Sequence, residues 1–217
     1  MFVQNSYCFF RTFFVVHLLS SCLFSYAELK DNQYWLDIDF SKKITKSLDM
    51  DIAHRFRYKS DVLAADKNST DFSLSYAINS KFKLSGDLRY DSRVEESEYR
   101  VGINLKFDPQ ISNIIPVYKI KFQKEYNNHK VEEFFIRNKF SFSIPILQQL
   151  KSILYYESYF MYQDTYFDYK KYRLSTSLEY KFNSSQTMGL FYIYKEQLKI
   201  NHFEITHILG LKFEYSF

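Results

Sequence analysis

Residues 203–217 read FEITHILGLKFEYSF. Phe203, Ile205, His207, Leu209, Leu211, Phe213, Tyr215 and Phe217 alternate with Glu204, Thr206, Ile208, Gly210, Lys212, Glu214 and Ser216. Successive side chains of a strand point to opposite faces, so this stretch has one greasy face and one mostly polar face. A soluble sheet rarely leaves such an aromatic end exposed. A strand with lipid on one side and a polar lumen on the other requires this pattern.

The alternation runs back through the chain. Tyr34, Leu36, Ile38 and Phe40 alternate with Trp35, Asp37 and Asp39, and Ile52, His54, Phe56 and Tyr58 with Asp51, Ala53, Arg55 and Arg57. Leu84, Leu88 and Tyr90 face away from Ser85, Asp87 and Arg89, and Tyr99, Val101 and Ile103 away from Arg100, Gly102 and Asn104. Phe134, Ile136, Phe140 and Phe142 oppose Arg137, Lys139, Ser141 and Ser143; Leu174, Leu178 and Tyr180 oppose Arg173, Glu179 and Lys181. Residues 150–162 alternate less cleanly, with Ile153, Tyr155 and Tyr159 on the face opposite Leu154, Tyr156 and Phe160. About eleven segments emerge, many near the ~9–11 residues a tilted strand needs to cross a bilayer. Single-chain bacterial barrels have even strand numbers. The expected fold is therefore all-β, a transmembrane antiparallel up-and-down β-barrel of about twelve strands, with ten as the alternative. The short breaks 79–81 and 183–185 suit tight turns at one end. The breaks 59–69, 91–97 and 163–170 suit outward loops, and 108–116 and 145–149 belong on the turn side.

Composition agrees. Aromatics make up 20% of the 217 residues, with 23 Phe and 20 Tyr, yet the mean hydropathy is −0.35. Alternation of lipid-facing and lumen-facing residues produces a chain both aromatic and polar. The formal net charge is only +4. Charges of both signs are interspersed, so no basic stripe for nucleic acid stands out. With 3 Pro and 4 Gly, most turns fall to Asn, Ser, Asp and Lys.

The one long apolar run is at the N-terminus, with Arg11 its only charge. Ser25 and Ala27 stand at −3 and −1 of a cleavage site before Glu28, so residues 1–27 read as a signal peptide and 28–217 as the barrel. A membrane-anchoring helix is the alternative, but the run is short for a span and is closed by small residues. Leu19-Ser20-Ser21-Cys22 also has the form of a lipoprotein box, which would put a lipid on Cys22. Cys8 and Cys22 are the only cysteines. Cleavage after Ala27 leaves a cysteine-free protein and excludes disulfides and thiol catalysis.

No chemistry-bearing motif appears in the mature chain. His54, His129, His202 and His207 have no metal-ligand spacing, and there is no Gly-rich phosphate loop or GxSxG elbow. No catalytic, cofactor or metal residue is expected. His54 and His207 lie on apolar faces, where a lipid-modifying enzyme would place a histidine. Their height along the barrel puts them at the outer interface, where amphipathic rings are ordinary. The inward charges form the other constellation: Asp49, Asp51, Arg55, Arg57, Asp87, Arg89, Arg100, Arg137, Arg173 and Glu179 lead it. Ions in a confined interior need partners. One reading is a cross-strand network that fills and closes a narrow barrel; the other is a hydrated path whose selectivity the charges set.

Several stretches resemble an uncharacterised family of Gram-negative outer-membrane β-barrels, domain of unknown function 2490. They are YWLDIDFSKKI from Tyr34, DMDIAHRFRY from Asp49, and the closing YRLSTSLEYKFNSSQTMGLFYIYKEQ and ILGLKFEYSF from Tyr172 and Ile208. Where the family often carries Gly-Tyr-Arg in its fourth strand, this chain has Gly86-Asp87-Leu88-Arg89-Tyr90. The resemblance implies the cell outer membrane, with its lipids around the barrel, and no known activity. Phe213, Tyr215 and Phe217 resemble the C-terminal assembly signal of outer-membrane proteins, which implies periplasmic chaperones and the barrel-assembly machinery as partners. The expected function is a non-enzymatic structural, adhesive or small-solute role. The alternatives are a lipid-modifying enzyme using a girdle histidine and a narrow porin-like channel.

Overall fold

The computed structural model describes residues 32–59, 65–93, 96–109, 114–127, 132–163, 166–198 and 202–217. Residues 1–27, expected to be a leader, with Cys8 and Cys22, the expected start at Glu28, and His129 lie outside the described residues. Eleven strands follow one another among the described residues: β1 (Asn32–Lys43), β2 (Leu48–Lys59), β3 (Ala65–Ala77), β4 (Phe82–Ser92), β5 (Ser97–Phe107), β6 (Ile115–Asn127), β7 (Glu132–Pro145), β8 (Leu150–Gln163), β9 (Tyr166–Lys181), β10 (Gln186–Leu198) and β11 (Phe203–Ser216). Each pairs antiparallel with its sequence neighbours, and β1 pairs with β11 to close the barrel.

That closure corrects the expected strand number. The barrel has eleven strands among the described residues, neither twelve nor ten. In an odd up-and-down series the first and last strands run the same way, so the seam between β1 and β11 is parallel, from Asn32↔His207 to Ser41↔Ser216. Parallel bonds are slanted but evenly spaced, and they satisfy the edge backbone groups that a bilayer cannot. The even-number expectation assumed antiparallel closure. The alternation itself had the right count.

The turns have a clear chemical origin. Asn79 Oδ1 accepts the N–H groups of Lys81 and Phe82, each at 2.9 Å, and Asn183 Oδ1 those of Ser185 and Gln186 at 2.9 Å. Thr45 Oγ1 does the same for Ser47 and Leu48 at 3.2 and 3.1 Å. Such side-chain caps let Asn and Thr replace glycine in tight turns. These turns and Phe217 share one end of the barrel, and Asn32 begins at the other. At that second end the strands run further than expected: β3 starts at Ala65 and β9 at Tyr166, inside stretches read as loops.

Apolar faces point outward all round. Phe40, Phe72, Leu88, Val101, Ile103, Phe140, Leu174, Leu190, Leu211 and Phe213 are among the exposed large hydrophobics. Trp35, Ile193 and Ile208 form a small apolar cluster on the inner wall of β1, β10 and β11, with Phe191 packed against it. β8 likewise turns apolar side chains inward, since Ile153, Tyr155, Tyr159 and Met161 line the lumen, and this explains its uneven alternation.

Candidate functional site: the barrel lumen

Period-two placement puts the polar series of every strand inside, where it surrounds a cavity of about 1230 Å³. Its lining runs from Ser216 and Glu214 at the turn end to Arg93 and Lys170 at the loop end. All ten residues expected to lead the charge network point inward, and most are paired along the wall. Asp49 binds Lys83 at 2.6 Å, and Asp51 accepts from Ser73 at 3.4 Å. Arg55 bridges Asp37 at 3.4 Å and Asp71 at 2.9 Å, and Arg89 takes the other oxygen of Asp71 at 2.5 Å. Asp87 is held by Lys121 and by the amide of Asn104. Arg100 meets Asp91 and Glu98 at 2.9 Å and Glu125 at 3.4 Å. Glu157 gathers Arg137 at 2.7 Å, Arg173 at 3.7 Å and the Tyr159 hydroxyl at 2.8 Å. Glu179 binds Lys151 at 2.9 Å. Arg57 is the exception: its guanidinium lies 4.2 Å from the Trp35 ring centroid.

These pairs join residues on nearby strands and hug the wall, so the space between the walls remains. The lining holds fifteen Lys and Arg against eleven Asp and Glu, a cationic surplus. Part of the surplus lies on one wall. Lys106, Lys119 and Lys139 stand directly opposite one another across β5, β6 and β7, and Lys121 opposes Arg137. Like charges opposed in a sheet are destabilising, so the fold tolerates a cost on this wall. Among the described residues, Arg57, Lys119, Lys139 and Lys171 have no carboxylate oxygen within 4.0 Å.

Sequence reasoning missed Lys67, Asp71, Asp91, Glu98 and Lys171, because they lie in or beside stretches read as loops. The signal was available: Lys67, Ser69, Asp71 and Ser73 continue the inward series of β3 upward. Lys67 and Asp91 are nearly fully buried and pair at 2.6 Å, with Glu98 at 2.9 Å from the same ammonium.

His54 and His207 face outward and do not meet. His54 Nδ1 is 2.9 Å from Thr70 Oγ1, with its ring edge-on to Phe56. His207 is buried against Tyr194 and bonded to the Tyr192 hydroxyl. Among the described residues neither has a carboxylate behind it in the manner of a nucleophile-activating pair. Among the described residues no three His, Cys, Asp or Glu side chains converge to hold a metal. Phe213, Tyr215 and Phe217 project outward beside the seam, where the Phe217 N–H donates to Ser41 O at 3.1 Å.

Residues 32–203 match the family described as "Protein of unknown function (DUF2490)", and the chain belongs to that family. Among solved structures it is similar to a bacterial polysaccharide outer membrane secretin, with TM-score 0.54 and 13% identity over 77% of this chain and 63% of that one. It is also similar to the KdgM porin, with TM-score 0.52 and 12% identity over 85% of this chain and 98% of that one. A KdgM porin in complex with disordered oligogalacturonate gives TM-score 0.52 and 13% identity over the same shares. Among curated proteins no relative matches the sequence.

Proposed function

We propose that this protein is an outer-membrane barrel whose lumen is a narrow conduit for small solutes and favours anions over cations. The observation that carries the reading is the cavity lined from both ends, with a cationic surplus that falls partly on the β5–β7 wall. Eleven strands fall between the eight-strand size that side chains fill and the sixteen-strand size that leaves a wide aqueous channel, so the expected path is small. The outward hydrophobic belt suits a bilayer, because a barrel in water needs a polar outer face. The similarity to porins reaches only to the fold at this identity, but it makes acidic solutes of the kind seen with one of them the first class to try. The leader 1–27 would direct export, and Phe213, Tyr215 and Phe217 would present the assembly signal to the insertion machinery.

Planar bilayer recording tests the reading. Folded protein is expected to give discrete, small, anion-selective currents in chloride salts. Silent bilayers after repeated insertion of folded protein would return the barrel to a closed structural or adhesive role.

A further inference from the structure

Three lumen cations are held by rings instead of acids. The Arg57 guanidinium sits 4.2 Å from the Trp35 ring centroid, Lys139 Nζ 3.8 Å from that of Tyr155, and Lys171 Nζ 4.5 Å from that of Tyr159. None of the three has a carboxylate oxygen within 4.0 Å among the described residues, whereas Arg55, Arg89 and Arg137 each have one. The difference matters for an incoming anion. A cation in an ion pair is neutralised, and a new anion must displace the resident carboxylate. An aromatic face attracts a cation through its quadrupole but carries no net charge. The cation is therefore positioned while its charge and its N–H donors stay on offer.

Arg57 shows the consequence most clearly. Its Nε is buried and has no hydrogen-bond acceptor among the described residues. A guanidinium is a planar fork that matches a carboxylate with two parallel bonds. The platform beneath it is rigid: the Trp35 indole N–H donates to Gln33 Oε1 at 3.0 Å, and the ring packs on Ile193 and Ile208. Tyr155 and Tyr159 lie on the same face of β8 four residues apart, so their two cations stand at stations separated by roughly 13 Å along that strand.

We propose that Arg57, Lys139 and Lys171 are three oxyanion stations for carboxylate-bearing solutes, and that Trp35, Tyr155 and Tyr159 position them. The inference rests on the conduit reading for its transport meaning, but binding at the stations does not require conduction. Trp35 is the only tryptophan of the chain, so emission excited at the red edge of indole absorption, beyond the tyrosines, reports the Arg57 station. The experiment titrates the membrane-extracted protein with citrate, with inorganic phosphate, and with sodium chloride at matched ionic strength. Retention of labelled citrate in equilibrium dialysis is read in parallel, and heat-shifted gel migration confirms that each variant is folded. Citrate is expected to change the emission saturably. Arg57→Gln should weaken citrate retention by about tenfold, one factor of 1.4 kcal/mol, and Arg57→Lys by less. Tyr159→Leu keeps every charge and should still weaken retention, which a mere charge count does not predict.

An emission change reproduced by chloride, unaltered retention in Arg57→Gln, or tighter binding of phosphate than of citrate overturns the stations. Saturable citrate binding by a barrel that passes no current keeps them and removes the conduit. Currents without saturable citrate binding do the reverse.

Discussion

Gly210 has no side chain because Phe191 occupies the place of one. The two are register partners on β11 and β10, and a Cβ built on Gly210 would lie 2.2 Å from the Phe191 ring. An aromatic ring laid across a strand glycine fills the gap and pins the register. Gly210→Ala is therefore expected to push the ring aside at a cost on the order of 1–3 kcal/mol. The urea midpoint of the barrel refolded in vesicles should fall, and Phe191→Leu added to it should restore most of the loss. A wild-type midpoint in the single variant would show that the ring is not seated there. The sequence carried only half of this. Alternation puts Phe191 and Gly210 on inward faces but says nothing of which residue lies opposite which. Glu157 was legible to the same degree: its inward direction followed from period two, while its sharing between Arg137 and Arg173 depends on strand pairing.

At the scale of elements, the strands were legible because lipid and lumen enforce opposite chemistry on alternate residues. The segments around 203–216, 172–181 and 32–43 are strands as expected. What failed was the top of the barrel, where residues 65–71 lose the apolar half of the pattern and a register shift between Tyr159 and Phe160 breaks the alternation of 166–171, yet the ladder continues. The closure failed as well, since no residue of β1 or β11 announces whether its partner runs parallel. The seam offers a direct check. Ser41 and Ser216 are register partners, with hydroxyl oxygens 2.7 Å apart, close enough for Cα atoms to suit a disulfide. The pair Ser41→Cys with Ser216→Cys is expected to oxidise within one chain and to change gel migration without reductant, whereas either single variant should not. If the double variant stays reduced under oxidant while folded, another strand separates β1 from β11 and the eleven-strand closure is wrong.

For the whole molecule, the decisive quantity is how the lumen's charge acts on ions in transit. Pairing neutralises most of it locally, as at Asp71 with Arg55 and Arg89, and leaves a net field from Arg57, Lys119, Lys139 and Lys171. The field of these charges reaches a Debye length into mobile electrolyte, about 10 Å at 0.1 M salt and about 3 Å at 1 M. In a path this narrow the first length spans the lumen and the second does not. Reversal potentials under a potassium chloride gradient are thus expected to give chloride preference in dilute salt that declines toward parity in molar salt. Lys119→Glu with Lys139→Glu keeps a like-charged pair between β6 and β7, makes the Lys106–Lys119 pair attractive, and brings the lining to thirteen cations against thirteen acids. That variant should remain folded and lose its chloride preference in dilute salt. A preference that ignores salt concentration, or one that survives the exchange, would mean that size rather than charge selects the ions, and the cationic wall would lose its role in the conduit.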